Sequence, residues 1–150
     1  MSERFSFYKA CPAGTKVMID MEKYLGECGL KASLLHLVKM RVSQINGCAY
    51  CLDMHSHDAR KIGETEQRLY VLDAWRETPL FSARERAALA WAEALTLIAQ
   101  THAPDEIYEN VKSEFNDAEL ANLTLLIGTI NTWNRIAIGS RMPVKARTAG

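Results

Sequence analysis

Two cysteines with two residues between them, and a histidine four positions after the second, stand at Cys48-Ala49-Tyr50-Cys51-Leu52-Asp53-Met54-His55. In a helix successive side chains turn by roughly 100°, so with Cys48 at zero Cys51 falls near roughly 300° and His55 near roughly 340°. All three then share one narrow face. A dithiol that can close, beside a base that can take a proton, is what thiol redox chemistry requires. A free thiol has a pKa near about 8.5 and reacts as the thiolate. Cys48 at the start of a helix, with Cys51 in or near its first turn, meets unpaired backbone N–H groups and the positive end of the helix dipole. His55, one turn further, can accept the thiol proton as imidazole or stabilise the thiolate as imidazolium. One thiolate of such a pair attacks an oxidant and becomes a sulfenic acid. The other condenses with it, forming a disulfide and releasing water, and an external thiol or disulfide reductant reopens the bond by exchange.

The same residue types also suit zinc, which in a structural site takes four protein ligands. His57 is the next ligand in sequence, but it falls near roughly 180° on the helix wheel and points away from the other three unless the helix breaks. No second Cys-x-x-Cys occurs. The expectation is therefore no metal and no cofactor. A thioredoxin-type domain would need a β-α-β pattern around the pair, and this chain has none. Cys11 and Cys28 lack comparable partners and read as packing or exposed thiols. His36 reads as a polar helix position, and His102, just before Pro104, as a helix-end or loop residue. Tyr50 and Asp53 fall on the far side of the third helix from the thiols and are expected at solvent or an interface.

The elements that must position the thiols read as helices throughout, because no convincing run of alternating β-branched residues appears. A first helix is expected over 12–28, with Val17, Met21, Tyr24 and Cys28 as its stripe and Gly29 as its left-handed stop. The second, over 32–45, puts Leu34, Leu35, Val38, Val42 and Ile45 on one side and His36, Met40 and Ser43 on another. Asn46-Gly47 stops it, and the third, over 48–62, starts almost at once. Thr65 introduces a fourth, anchored by Leu69, Leu72 and Trp75. Ser82-Ala83-Arg84-Glu85 is a capping box opening a helix to about Gln100. A short helix follows Pro104-Asp105. Asn116 and Glu119 form a second capping box, opening a last helix to about Ile138. That helix is apolar nearly all round over 120–130, so it is expected to be buried or shared with another subunit. The tail from Met142-Pro143 onward is expected to fray. Trp75, Trp91 and Trp133 read as core.

The whole is an all-α, single-domain bundle of about six to seven helices spanning residues 1–150, a length that suits one core. Eighteen Lys and Arg balance eighteen Asp and Glu, so nothing points to nucleic acid or a membrane surface. Met1–Phe5 lacks a signal-peptide apolar core, and the longest apolar region falls short of the roughly 20 residues of a spanning helix. A soluble cytoplasmic protein is expected. A chain of this length does not need four cysteines as structural staples, and in a reducing cytosol Cys-x-x-Cys points to a redox couple or a metal site.

The run Ser43-Gln44-Ile45-Asn46-Gly47-Cys48-Ala49-Tyr50-Cys51, followed by His55, resembles the alkylhydroperoxidase D-like branch of the carboxymuconolactone decarboxylase family. Asn131-Thr132-Trp133-Asn134-Arg135 resembles a C-terminal segment of the same relatives. The resemblance implies an all-α fold, a homo-oligomer (dimer, trimer or hexamer), and reduction of a small peroxide through an intramolecular disulfide. It makes Cys51 the thiol that attacks peroxide, Cys48 the resolving thiol and His55 a member of the proton relay. The relay's glutamate, twelve residues before the first cysteine, is here His36, which can still relay protons with a different charge and operating pH. Tyr50 stands where some relatives carry histidine. The family's other branch decarboxylates a lactone without depending on a Cys-x-x-Cys pair, which leaves that activity as an alternative, beside a zinc-stabilised, non-catalytic interaction protein.

Overall fold

The computed structural model describes residues 1–146, and among the described residues every regular element is a helix. In order these are α1 (Phe7–Ala10), α2 (Pro12–Glu27), α3 (Ala32–Asn46), α4 (Ala49–Lys61), α5 (Glu66–Tyr70), a 3-10 turn (Leu72–Glu77), α6 (Ala83–Thr96), α7 (Ile98–Thr101), α8 (Asp105–Glu114) and α9 (Asp117–Ser140). The longer segments, α2, α3, α4, α6, α8 and α9, match expected helices; α1 and α7 are short additions, and α5 is only the start of the expected fourth helix. Part of the expected frayed tail lies outside the described residues.

α3 runs through the middle of the bundle, against α4, α6 and α9. Its Leu34, Leu35, Val38 and Val42 enter one apolar cluster with Trp91 of α6 and Leu123, Leu126 and Ile130 of α9. Its Leu37 and Met40 enter a second cluster with Leu72, Trp75, Phe81 and Leu89. Each such side chain contributes about 1.5–3 kcal/mol by leaving water, so α3 is held on two sides at once. Both expected capping boxes form, Ser82 with Glu85 at α6 and Asn116 with Glu119 at α9.

Several expectations need correcting. The segment after Thr65 is not one helix: α5 gives way to the 3-10 turn, whose carbonyls at Trp75 and Arg76 accept from the Arg86 guanidinium while Trp75 Nε1 donates to Glu93 at 2.8 Å. These tertiary bonds outweigh the local preference for α-helix. The helix from Ser82 stops at Thr96, and α7 ends in two consecutive left-handed residues, His102 and Ala103, before Pro104. Half of the stripe assigned to the first helix is outside: Val17 is 65% and Tyr24 51% exposed, whereas Met21 and Cys28 pack against the core, because α2 lies at the edge of the bundle with α1 and α9 as its main neighbours. Buried residues of α2 are Thr15 and Leu25. α9 is buried on one side only, leaving Leu125 and Ile138 exposed.

Candidate active site

The junction between α3 and α4 places the thiols. Gly47 takes a left-handed conformation (φ 69°) that a side chain would strain. The Cys48 N–H donates back to the Ser43 carbonyl at 3.0 Å, closing α3, and Cys48 at once becomes the N-cap of α4. Its sulfur accepts the backbone N–H of Cys51 at 3.3 Å, the role an oxygen of Ser or Asp plays at most N-caps. The Cα atoms of Cys48 and Cys51 are 5.4 Å apart and the two are joined as a disulfide, within the spacing a disulfide spans. A thiolate formed here lies at the positive end of a helix.

The junction is clamped to α9. The Asn46 side-chain amide donates to the Asn131 and Asn134 side-chain oxygens, both at 2.9 Å, and Asn134 Nδ2 donates to Ser43 Oγ at 3.0 Å. Asn134 and Ser43 are fully buried. Asn131 reaches on to Thr96 Oγ1 at 3.1 Å. Four residues quoted for their resemblance to a family are thus one hydrogen-bonded clamp beside the thiols.

Cys51 lines a cavity of about 320 Å³ together with His55, His36, Lys39, Glu22 and Asp58. Tyr8, Tyr50, Met54 and Trp133 complete much of its apolar and phenolic wall. The rings of His36 and His55 are 6.1 Å apart, and Nδ1 of each is buried without a hydrogen-bond partner. Lys39, buried one helical turn after His36, is ion-paired with Glu22 of α2. Burial first, then the Lys39 and His36 charges, push His55 down to about 3. Burial and Lys39 also lower His36, against the opposing pull of Asp58 and Glu22. Both imidazoles are therefore neutral near pH 7 while the disulfide is closed. Of the two roles open to His55, the imidazolium has no support in this state. Tyr8 is raised by burial and by the neighbouring Tyr50 hydroxyl.

Cys48, Cys51, His55 and His36 thus come together, the last from α3. His36 is half-buried in the cavity wall rather than an ordinary polar helix position. Tyr50 also departs from expectation. It packs against the main core cluster and lines the cavity, where Tyr8 of α1 stands beside it. Asp53 is intermediate in exposure, and His57 is exposed, away from the thiols. Cys11 is exposed and Cys28 partly packed against the core. Trp75 and Trp91 are core, and Trp133, packed against the main core cluster, also forms part of the cavity wall. Among the described residues no group of three or more His, Cys, Asp or Glu is arranged to hold a metal ion, which leaves the zinc reading without geometric support. Lys39, Glu22 and Tyr8 were not foreseen. A signal for Lys39 exists in its three-residue spacing from His36 inside an otherwise apolar run.

Residues 12–94 match the model of the carboxymuconolactone decarboxylase family, and the chain belongs to that family. Within it, fold and neighbours place the chain in the alkylhydroperoxidase D-like branch. It is 49% identical to the uncharacterized protein YdfG of Bacillus subtilis over 92% of this chain and 94% of that one. A protein of unknown function from Agrobacterium tumefaciens, ATU0492, proposed as an antioxidant defence protein AhpD, superposes with a TM-score of 0.94 at 42% identity, covering 97% of this chain and 100% of that chain. An uncharacterized peroxidase-related protein from Silicibacter sp. TM1040 superposes with a TM-score of 0.78 at 28% identity over 87% of this chain and 70% of that one. No helix among the described residues is long and apolar enough to cross a membrane.

Proposed function

We propose that this chain, as one domain over residues 1–150, is a thiol peroxidase or disulfide oxidoreductase that reduces a small peroxide through the Cys48–Cys51 disulfide. The observation that carries this reading is that Cys51, already bonded to Cys48, shares a cavity with His55 and His36. In the reduced protein the Cys51 thiolate attacks the peroxide's outer oxygen. The O–O bond breaks, Cys51 becomes a sulfenic acid, and the departing alkoxide or hydroxide takes a proton to leave as alcohol or water. Cys48 then attacks the Cys51 sulfur, water leaves, and the disulfide closes. Two thiol groups of an external reductant supply the two electrons that reopen it and leave as a disulfide.

The neutral histidines fit a relay that responds to this cycle. Opening the disulfide puts negative charge on Cys51, which favours a proton on His55 and raises its pKa from about 3. That proton is then available to the leaving oxygen. His36 stands behind His55 as the second relay member, in the place of the family's glutamate. A cycle that needs a thiol donor fits a reducing compartment such as the cytoplasm. The apolar Val17, Ile19 and Tyr24 exposed on α2 fit a homo-oligomer in which a second copy covers that face.

The test is stoichiometric peroxide on the reduced protein, followed by peptide mapping of thiols. A single Cys48–Cys51 disulfide is expected, and Cys48→Ser is expected to leave a sulfenic acid on Cys51. Both thiols unmodified would overturn the reading. The family also includes lactone decarboxylation; turnover of a carboxylated lactone that survives Cys48→Ser and Cys51→Ser would assign the chain there instead.

A further inference from the structure

The two cysteines of the disulfide, although three residues apart, line different cavities. Cys51 lines the histidine cavity. Cys48 lines a second cavity of about 380 Å³, bounded also by Gly47, Ala49, Ile138, Arg141 and Val144. Tyr50, Ala137 and Met142 line both cavities and form the partition between them. Cys48 and Cys51 are each only 1% exposed, so overall exposure does not favour attack at either one. What distinguishes them is the cavity from which each is approached.

We infer that the second cavity is the entry for the reductant, a low-molecular-weight thiol that attacks Cys48 while peroxide reaches Cys51 from the other side. This rests on the proposed disulfide cycle and adds its direction. A thiolate displaces at sulfur along the line of the bond it breaks. Attack from the second cavity forms a bond between the reductant's sulfur and Cys48, breaks Cys48–Cys51, and leaves the electron pair on Cys51 as thiolate. A second thiol of the reductant then attacks the mixed disulfide, releases Cys48 as thiolate and departs as the oxidised disulfide. Two thiols are oxidised and one protein disulfide is reduced. The sulfur released first is the one beside His55 and His36, the sulfur needed for the next peroxide. Attack at Cys51 would instead release Cys48 and leave Cys51 blocked by the reductant inside the peroxide's cavity.

Each cavity can be filled separately, because each has exposed side chains that line it and not the other. Ile138 and Val144 border only the second of these two cavities, and Met54 only the first; all three are exposed. The disulfide is formed with diamide, so that its presence does not depend on peroxide, and its reduction by glutathione is followed by peptide mapping. Oxidation of the pre-reduced protein by cumene hydroperoxide is followed separately. Ile138→Trp and Val144→Trp are each expected to slow glutathione reduction about tenfold or more and to leave peroxide oxidation within about twofold, with Met54→Trp doing the reverse. Thermal unfolding confirms that each variant is folded, and the three variants act as controls for one another. Reduction slowed by Met54→Trp but by neither second-cavity variant, or slowed equally by all three, would overturn the inference. A protein that glutathione reduces but peroxide never oxidises would instead overturn the proposed peroxidase reading.

Discussion

His55 carries the largest electrostatic consequence of any single residue in the site. Its pKa of about 3 in the folded, oxidised protein lies below the ordinary histidine value of about 6.5. The unfolded chain therefore binds the extra proton first as pH falls. The contribution of a neutral, buried His55 is fully present above about pH 6.5 and is lost progressively as pH drops towards 3. Its size is on the order of a few kcal/mol. Carboxylates held low by their partners, such as Glu93 and Glu85, act in the same direction at acid pH. The comparison that isolates the histidine is His55→Gln: denaturant midpoints of the oxidised protein from pH 7 to pH 4 are expected to fall less steeply in this variant than in the parent. An equal slope would mean that His55 is not held neutral. His36, lowered for the same reasons, is expected to matter to rate instead. His36→Ala should slow reaction of the reduced protein with peroxide without lowering its unfolding temperature by more than a few degrees, as read by stopped-flow fluorescence and calorimetry.

At the level of elements, the α3–α4 junction is where sequence and structure agree most closely, and the reason is local. Gly47 must turn left-handed, Cys48 must cap, and the helical period then puts Cys51 and His55 on its face; each step follows from a residue and its near neighbours. The clamp of Asn46, Asn131, Asn134 and Ser43 was visible only as a resemblance, because its bonds join residues more than eighty positions apart. The helical pattern alone does not bring His36 or Tyr50 to the cavity, for a related cause. A helical wheel gives direction about an axis but not what a neighbouring helix brings to meet it, and here α2 brings Glu22 to Lys39 and α9 brings Trp133 to the cavity. The clamp makes a firm prediction. Asn134→Ala removes a fully buried amide and strands partners on Ser43 and Asn46, at an expected cost of about 1–3 kcal/mol. Urea denaturation checks this, and a change under about 0.5 kcal/mol would mean the clamp contributes little.

For the whole molecule, the bundle was legible because its long helices carry clear start and stop signals. The edge position of α2 was not, since an apolar stripe reads the same whether it meets its own chain or another copy. If Val17 and Tyr24 lie between subunits, Val17→Glu is expected to lower the mass seen by light scattering while far-ultraviolet circular dichroism stays unchanged; an unchanged mass would free α2 from that role. The three tryptophans have a further consequence. Trp75 and Trp91 are tied down in the interior, through Glu93 and Thr124. Trp133 alone borders the space into which Cys51 opens. An indole's emission changes with the polarity and sulfur chemistry beside it, so the molecule contains its own optical gauge of redox state, two steady lamps and one that responds, and Trp133→Phe should silence it.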